Sequence, residues 1–212
     1  MTQFDSYIFD MDGTLWDAVD SYCAIWNATI AQMGIDVPEV TRPKLESMMG
    51  TPIDGIFDTI IGDAADRKSF LERLERNSTK MMPQLGGKLY PGVKETLEEL
   101  SRKARLFMVS NCDRDTLPAF LDYTGLREYM TDWLSFGQTG VEKDVNIRAL
   151  ADRYNLKAPV YIGDTAGDLR ATHAAGIPFI WAAYGFGKDV AGQEYTINSI
   201  SELLTLHDNA GN

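Results

Sequence analysis

Tyr7-Ile8-Phe9-Asp10-Met11-Asp12-Gly13-Thr14 is the stretch on which the reading of this chain turns. Tyr7-Ile8-Phe9 is a short apolar run, the pattern of a strand buried on both faces. Asp10 and Asp12 follow at alternate positions. In extended chain, alternate side chains point the same way, so the two carboxylates can reach one ligand together. Gly13 lets the backbone turn sharply and expose its N–H groups. The pair suits a nucleophile beside a proton donor, or a pair of metal ligands. Taken alone it suits equally a strand that ends in a polar turn, because Asp and Gly are ordinary turn residues.

Further apolar runs of the same kind occur at Leu106 to Val109 and Val160 to Ile162, and another, Pro178 to Ala182, follows a Gly-Ile-Pro turn. Helical patterns lie between them: Val93, Leu97 and Leu100 after the Pro91-Gly92 turn, then Ile147, Leu150, Ala151 and Tyr154. Strands alternating with helices predict βαβ units and a parallel sheet covered on both faces. The segment from Trp16 to Gly87 breaks the alternation. Val19, Tyr22, Cys23, Trp26, Thr29, Ile30 and Met33 recur at helical spacing, and further helical patterns cover Pro43 to Met49, Ile53 to Ile61 and Ala64 to Met82. This reads as a helical insertion in an α/β domain, rejoined through Pro83 to Gly87. The tail predicts a strand at Tyr195-Thr196-Ile197, a closing helix over Ile200 to Leu206 and a frayed end from Asp208 to Asn212.

Composition narrows the partners. The chain has 212 residues, enough for a substantial core, with a net charge of -11. That charge argues against nucleic acid, whose phosphates are gripped by Lys and Arg, and against an anionic membrane surface. A phosphorylated metabolite remains compatible if a metal ion and a local lysine reverse the field at one point. The two cysteines, Cys23 and Cys112, form no disulfide or zinc pattern, and His173 and His207 are too few for a His-rich metal site. No apolar stretch reaches the ~20 residues that span a bilayer. The first strand begins by Ser6, which leaves no room for a signal peptide. The expectation is a soluble cytoplasmic protein.

Each strand-like run ends in polar residues of a useful kind: Asp10, then Ser110 and Asn111, then Gly163-Asp164 with Asp168 beyond it. In open parallel sheets, ligands bind outside the carboxyl ends of the strands. Separate segments would thus deliver carboxylates and a hydroxyl to one crevice. Lys143 opens the helix that precedes the third run and lies at the same edge.

Asp10-x-Asp12-Gly-Thr, Ser110 after an apolar strand, Lys143, and Gly163-Asp164-x-x-x-Asp168 resemble the ordered motifs of the haloacid dehalogenase superfamily. The helical insertion resembles that superfamily's small α-helical cap. The resemblance covers nearly the whole chain and implies an α/β fold, a Rossmann-like parallel sheet with helices on both faces. The catalytic core would be residues 1–15 and 88–212, with the cap at 16–87 inserted after the first strand.

The resemblance also implies roles. Asp10 would be the nucleophile and form an aspartyl-phosphate. Asp12 would protonate the leaving oxygen and later deprotonate the attacking water. Ser110, Asn111 and Lys143 would bind the phosphoryl group. Asp10, the Asp12 carbonyl and Asp164 would hold Mg2+, with Asp168 holding a metal-bound water or orienting Asp164. A cap loop containing Met49, Gly50, Thr51 and Pro52 would test the substrate. Asp12 favours phosphoryl transfer from oxygen over dehalogenase or phosphonatase chemistry, which lacks that residue. Related sugar phosphomutases carry a His in the first cap helix and an Arg in the cap loop. Asp17 to Met33 has no His and Ser47 to Ile53 no Arg. The expectation is a Mg2+-dependent phosphatase of small phosphorylated metabolites, similar to phosphoglycolate phosphatases. A phosphomutase and a catalytically silent binding protein are the rivals. The intact set of Asp10, Asp12, Lys143, Asp164 and Asp168 speaks against the silent one.

Overall fold

The computed structural model describes residues 4–210. In chain order the elements are β1 (Ser6–Phe9), β2 (Trp16–Asp17), α1 (Val19–Met33), α2 (Arg42–Glu46), α3 (Ile53–Ile60), α4 (Arg67–Leu85), β3 (Lys88–Leu89) and α5 (Val93–Ser101). There follow β4 (Arg105–Ser110), α6 (Thr116–Thr124), β5 (Asp132–Ser135), α7 (Phe136–Thr139), α8 (Lys143–Arg153), β6 (Pro159–Gly163), α9 (Ala166–Ala174), β7 (Phe179–Ala182), β8 (Tyr195–Ile197) and α10 (Glu202–Ala210). The chain divides into two compact units, Met1–Asp17 with Leu89–Asn212, and Ala18–Lys88.

The first unit is a parallel sheet in the order β5-β4-β1-β6-β7-β8. The strands are apolar on both faces because both faces are covered. Ile8, Phe107, Val109, Tyr161 and Phe179 pack with Ile147 and Leu150 of α8 and Leu169 of α9. The alternate residues Tyr7, Phe9, Met108 and Ile162 are equally buried. Tyr7 reaches α10 on that side, its hydroxyl 2.8 Å from His207 Nδ1. The α/β, Rossmann-like expectation therefore holds. Register sets the site: Phe9 lies opposite Met108 on one side and Ile162 on the other. Asp10, Ser110 and Asp164 consequently leave the sheet at almost the same level.

Four local readings need correction. β5 is absent from the sequence-based strands, because Asp132 and Trp133 are half-exposed at the sheet edge and leave no continuous apolar run. The helix expected to end at Met82 runs to Leu85 with Pro83 inside it. A proline this near the C-terminus removes one N–H, and the Gly86 N–H still closes on Met82 O at 2.8 Å. The same helix starts at Arg67 rather than Ala64, because the Asp66 carboxylate caps it by accepting from the Ser69 N–H at 2.9 Å. At the C-terminus, Asp208 is helical rather than frayed, and 211–212 lie outside the described residues.

The second unit is helical. Its core brings Trp26 of α1 to Phe70 of α4 at a ring separation of 5.3 Å, and Phe57 of α3 to Phe70 at 5.5 Å. Buried Asn77 donates to Thr29 Oγ1 at 2.8 Å, which satisfies a polar pair between α4 and α1. Between α2 and α3, the Ser47–Pro52 loop turns on Gly50 at φ 83°, with the Thr51 N–H on Met48 O at 3.0 Å.

Candidate active site

Asp10 follows β1 directly, and its N–H donates to Ile162 O at 2.9 Å, which extends the pairing by one residue. Its carboxylate is buried and accepts from Lys143 Nζ at 3.1 Å. Lys143, the first residue of α8, also donates to Asp168 Oδ1 at 2.6 Å and is itself buried. The other Asp168 oxygen accepts from the Thr165 N–H at 3.0 Å and from Thr165 Oγ1 at 2.7 Å. Thr165 and Asp168 form a reciprocal capping box at the start of α9. Both Asp168 oxygens are thus engaged in holding Lys143 and the helix start.

Asp164 is held differently. Its Oδ2 accepts from the Phe186 N–H at 2.7 Å and the Gly187 N–H at 3.3 Å, and Trp181 Nε1 donates to its carbonyl at 3.0 Å. Its Oδ1 is buried without a hydrogen-bond partner. An unsatisfied buried carboxylate oxygen costs free energy unless something meets it. Oxygens of Asp10, Asp164 and Asp168 lie within 4.8 Å of one another. Three hard oxygen donors, one of them orphaned, fit a divalent cation that prefers oxygen. Backbone crowds this point. A Cβ on Gly185 would fall 2.3 Å from Gly13 O and 2.4 Å from Asp164 Cβ, and Gly13 itself adopts φ 78°.

Charge follows from geometry. Burial, offset by Lys143 and reinforced by Asp168, pushes Asp10 up to about 6 from the ordinary 3.8. Burial and then the Asp168 and Asp10 charges hold Asp164 well above its ordinary value. Burial would raise Asp168 too, but Lys143 and Thr165 outweigh it and lower the group. Burial would lower Lys143, but Asp10 and Asp168 win and keep it charged. The site therefore presents a fixed cation amid carboxylates that repel one another. Burial pushes the Cys112 thiol up, the opposite of the shift that activates a thiol.

Asp12 accepts from Trp16 Nε1 at 3.0 Å. Ser110, 5% exposed, ends β4 beside β1, with half-buried Asn111 next. Met49, Gly50, Thr51 and Pro52 belong to the helical unit, where Met49, Gly50 and Pro52 are half-buried and Thr51 exposed. The sequence reading missed Thr165, the Gly185-Phe186-Gly187 backbone and the Trp16 indole. Thr165-x-x-Asp168 was legible as a capping box. The other two are contacts that no local pattern announces.

The site is thus a cluster of acidic side chains around one lysine at the strand ends of a Rossmann-like parallel α/β sheet. The haloacid dehalogenase-like hydrolase family model matches residues 7–182, and the chain belongs to that family. Among relatives, a phosphoglycolate phosphatase of Synechococcus elongatus is 30% identical over 212 residues, covering 93% of this chain and 94% of that one. Another from Vibrio parahaemolyticus is 27% identical over 226 residues, covering 97% and 98%. Among solved structures, a haloacid dehalogenase-like hydrolase of Streptococcus pneumoniae superposes with a TM-score of 0.82 at 20% identity, covering 97% and 99%. CbbY of Rhodobacter sphaeroides in complex with phosphate gives 0.80 at 20%, covering 94% and 96%. The protein is a phosphoric monoester hydrolase acting on small phosphorylated metabolites. Such phosphatases use a divalent metal, and the aspartate cluster offers it a place. No helix among the described residues is long and apolar enough to cross a membrane.

Proposed function

We propose that this protein hydrolyses phosphate monoesters through an aspartyl-phosphate on Asp10, with Mg2+ as its metal. The observation that carries the reading is the orphaned Asp164 Oδ1, buried within a cluster whose other members are tied to Lys143. Asp10, the Asp12 carbonyl and Asp164 would hold the ion, and Asp168 serves chiefly by fixing Lys143. A carboxylate attacking a phosphate meets like-charge repulsion of about 1 kcal/mol at ~4 Å in water, and several-fold more in a drier site. When bound, the cation offsets that repulsion and polarises the phosphoryl oxygens.

Every other part of the chemistry belongs to the chain's own groups. Lys143 holds the Asp10 carboxylate in place and contributes a positive charge beside the phosphoryl group. Ser110 Oγ and the Asn111 N–H complete the cradle. Asp12 gives a proton to the leaving oxygen as the Asp10–phosphorus bond forms, and takes one from water as that bond breaks. The α/β unit, Met1–Asp17 with Leu89–Asn212, would be the catalytic core, and the helical unit, Ala18–Lys88, the cap that screens the substrate through Met49, Gly50, Thr51 and Pro52. The relatives' names make 2-phosphoglycolate the first substrate to test.

A panel of phosphorylated metabolites led by 2-phosphoglycolate, assayed with Mg2+, with other divalent cations and after chelation, tests the proposal. Phosphate release that requires the cation is expected. Full turnover after exhaustive metal removal would overturn the mechanism.

A further inference from the structure

We propose that Trp16 is a positioning residue for proton transfer, its indole N–H confining the mobile proton of Asp12 to Oδ2. The inference rests on the assignment of Asp12 as acid and base. Trp16 Nε1 donates to Asp12 Oδ1 at 3.0 Å. An indole nitrogen is a donor only. In a neutral carboxyl the carbonyl oxygen is the better acceptor, so this donor favours Oδ1 as the carbonyl oxygen and the proton on the other oxygen.

The indole is itself immobilised. Trp16 is 2% exposed, and its ring meets Phe120 edge-on at 4.8 Å and Tyr123 at 6.4 Å. Its backbone is bonded into the same turn, the Gly13 N–H donating to Trp16 O at 2.9 Å and the Trp16 N–H to Met11 O at 3.3 Å. Residues 11–16 thus form one rigid loop that carries both Asp12 and the ring that orients it. Packing against Phe120 needs only an apolar ring; the polar edge of this ring is spent on the carboxylate.

In the first half-reaction, an Asp10 oxygen bonds phosphorus, the ester P–O bond breaks, and the Asp12 Oδ2 proton passes to the departing oxygen to give the alcohol. In the second, Oδ2 takes a proton from water as its oxygen bonds phosphorus and the Asp10–phosphorus link breaks. The products are inorganic phosphate, free Asp10 and reprotonated Asp12.

Trp16→Phe keeps an aromatic ring on Phe120 and removes the donor. It should be compared with wild type and Asp12→Asn across alkyl, phenyl and 4-nitrophenyl phosphates. A poor leaving group needs the proton and a good one does not. For Trp16→Phe the expected loss in the single-turnover rate of alcohol release, which reports the first half-reaction alone, is about 10-fold or more on alkyl esters and under about 3-fold on the nitrophenyl ester. KM and inhibition by inorganic phosphate should stay unchanged. A uniform loss, or none, with Asp12→Asn still dependent on the leaving group, overturns the role of Trp16 alone. An Asp12→Asn variant insensitive to the leaving group overturns the assignment of Asp12 itself. Should Trp16→Phe fail to fold, the indole N–H resonances of the four tryptophans carry the test. One should move on Asp12→Asn, and no movement in any of them overturns the proposal.

Discussion

Lys143 Nζ stands 2.6 Å from Asp168 Oδ1, a charge pair in which both side chains are at most 5% exposed. Asp10 shares the same ammonium at 3.1 Å. Removing one partner of a buried ion pair leaves an uncompensated charge and costs about 3–5 kcal/mol. Lys143→Met is therefore expected to destabilise the protein on that scale and abolish turnover. Adding Asp168→Asn to Lys143→Met should recover part of the stability and none of the activity. Urea unfolding with parallel kinetics checks this, and a Lys143→Met cost below about 1 kcal/mol would contradict the pairing.

Metal-free protein should lose stability as pH rises through the Asp10 transition. Asp10 is pushed up to about 6, first by burial, against an ordinary 3.8. Between those values the folded state binds a proton that the unfolded state does not, so folding is favoured at the acid end and weakens toward pH 6. Asp10→Asn removes the buried charge. In chelator at pH 7.5 its Tm should exceed that of wild type by on the order of 5 °C, with no gain near pH 4. Equal Tm values at both pH values would show that the carboxylate is not held unfavourably.

Gly185→Ala places a Cβ 2.3 Å from Gly13 O and 2.4 Å from Asp164 Cβ. The backbone must yield, and Asp164 loses its place. Affinity for the divalent cation should fall by about 10-fold or more, the scale of a disturbed support around a metal ligand. Isothermal titration with Mg2+ reads it directly; unchanged affinity would remove Asp164 from the metal site.

How much of this was legible beforehand depends on how local each signal is. Asp10, Ser110 and Asp164 were found because a strand buried on both faces is a continuous apolar run, and the residue that ends it is conspicuous. Lys143 was found through its place at a helix start and the family resemblance. β5 escaped because Asp132 and Trp133 lie at a sheet edge, where burial is partial and the pattern dissolves. The grip of Phe186 and Gly187 on Asp164, and of Trp16 on Asp12, depends on where a side chain meets another part of the fold, which apolar periodicity does not encode. Asp168 was expected to hold a metal-bound water or to orient Asp164; it lies in the same carboxylate cluster as Asp10 and Asp164, and its bonds to Lys143 and Thr165 were not foreseen.

Specificity should be separable from chemistry. Met49→Ala or Thr51→Ala alters the helical unit's loop and leaves every residue of the α/β unit unchanged. kcat/KM should shift among metabolites by about 10-fold, with much less change for a small aryl phosphate. A matched kinetic panel decides, and a uniform loss across all substrates would make the loop catalytic or structural.

The central claim is a phosphoryl group carried on Asp10. Wild type mixed with Mg2+ and substrate, quenched within a turnover and digested, can be mapped by mass spectrometry. The phosphoryl mass is expected on the peptide containing Asp10, and absent from Asp10→Asn. A phosphoryl group on any other residue, or turnover by Asp10→Asn at the wild-type rate, would contradict it.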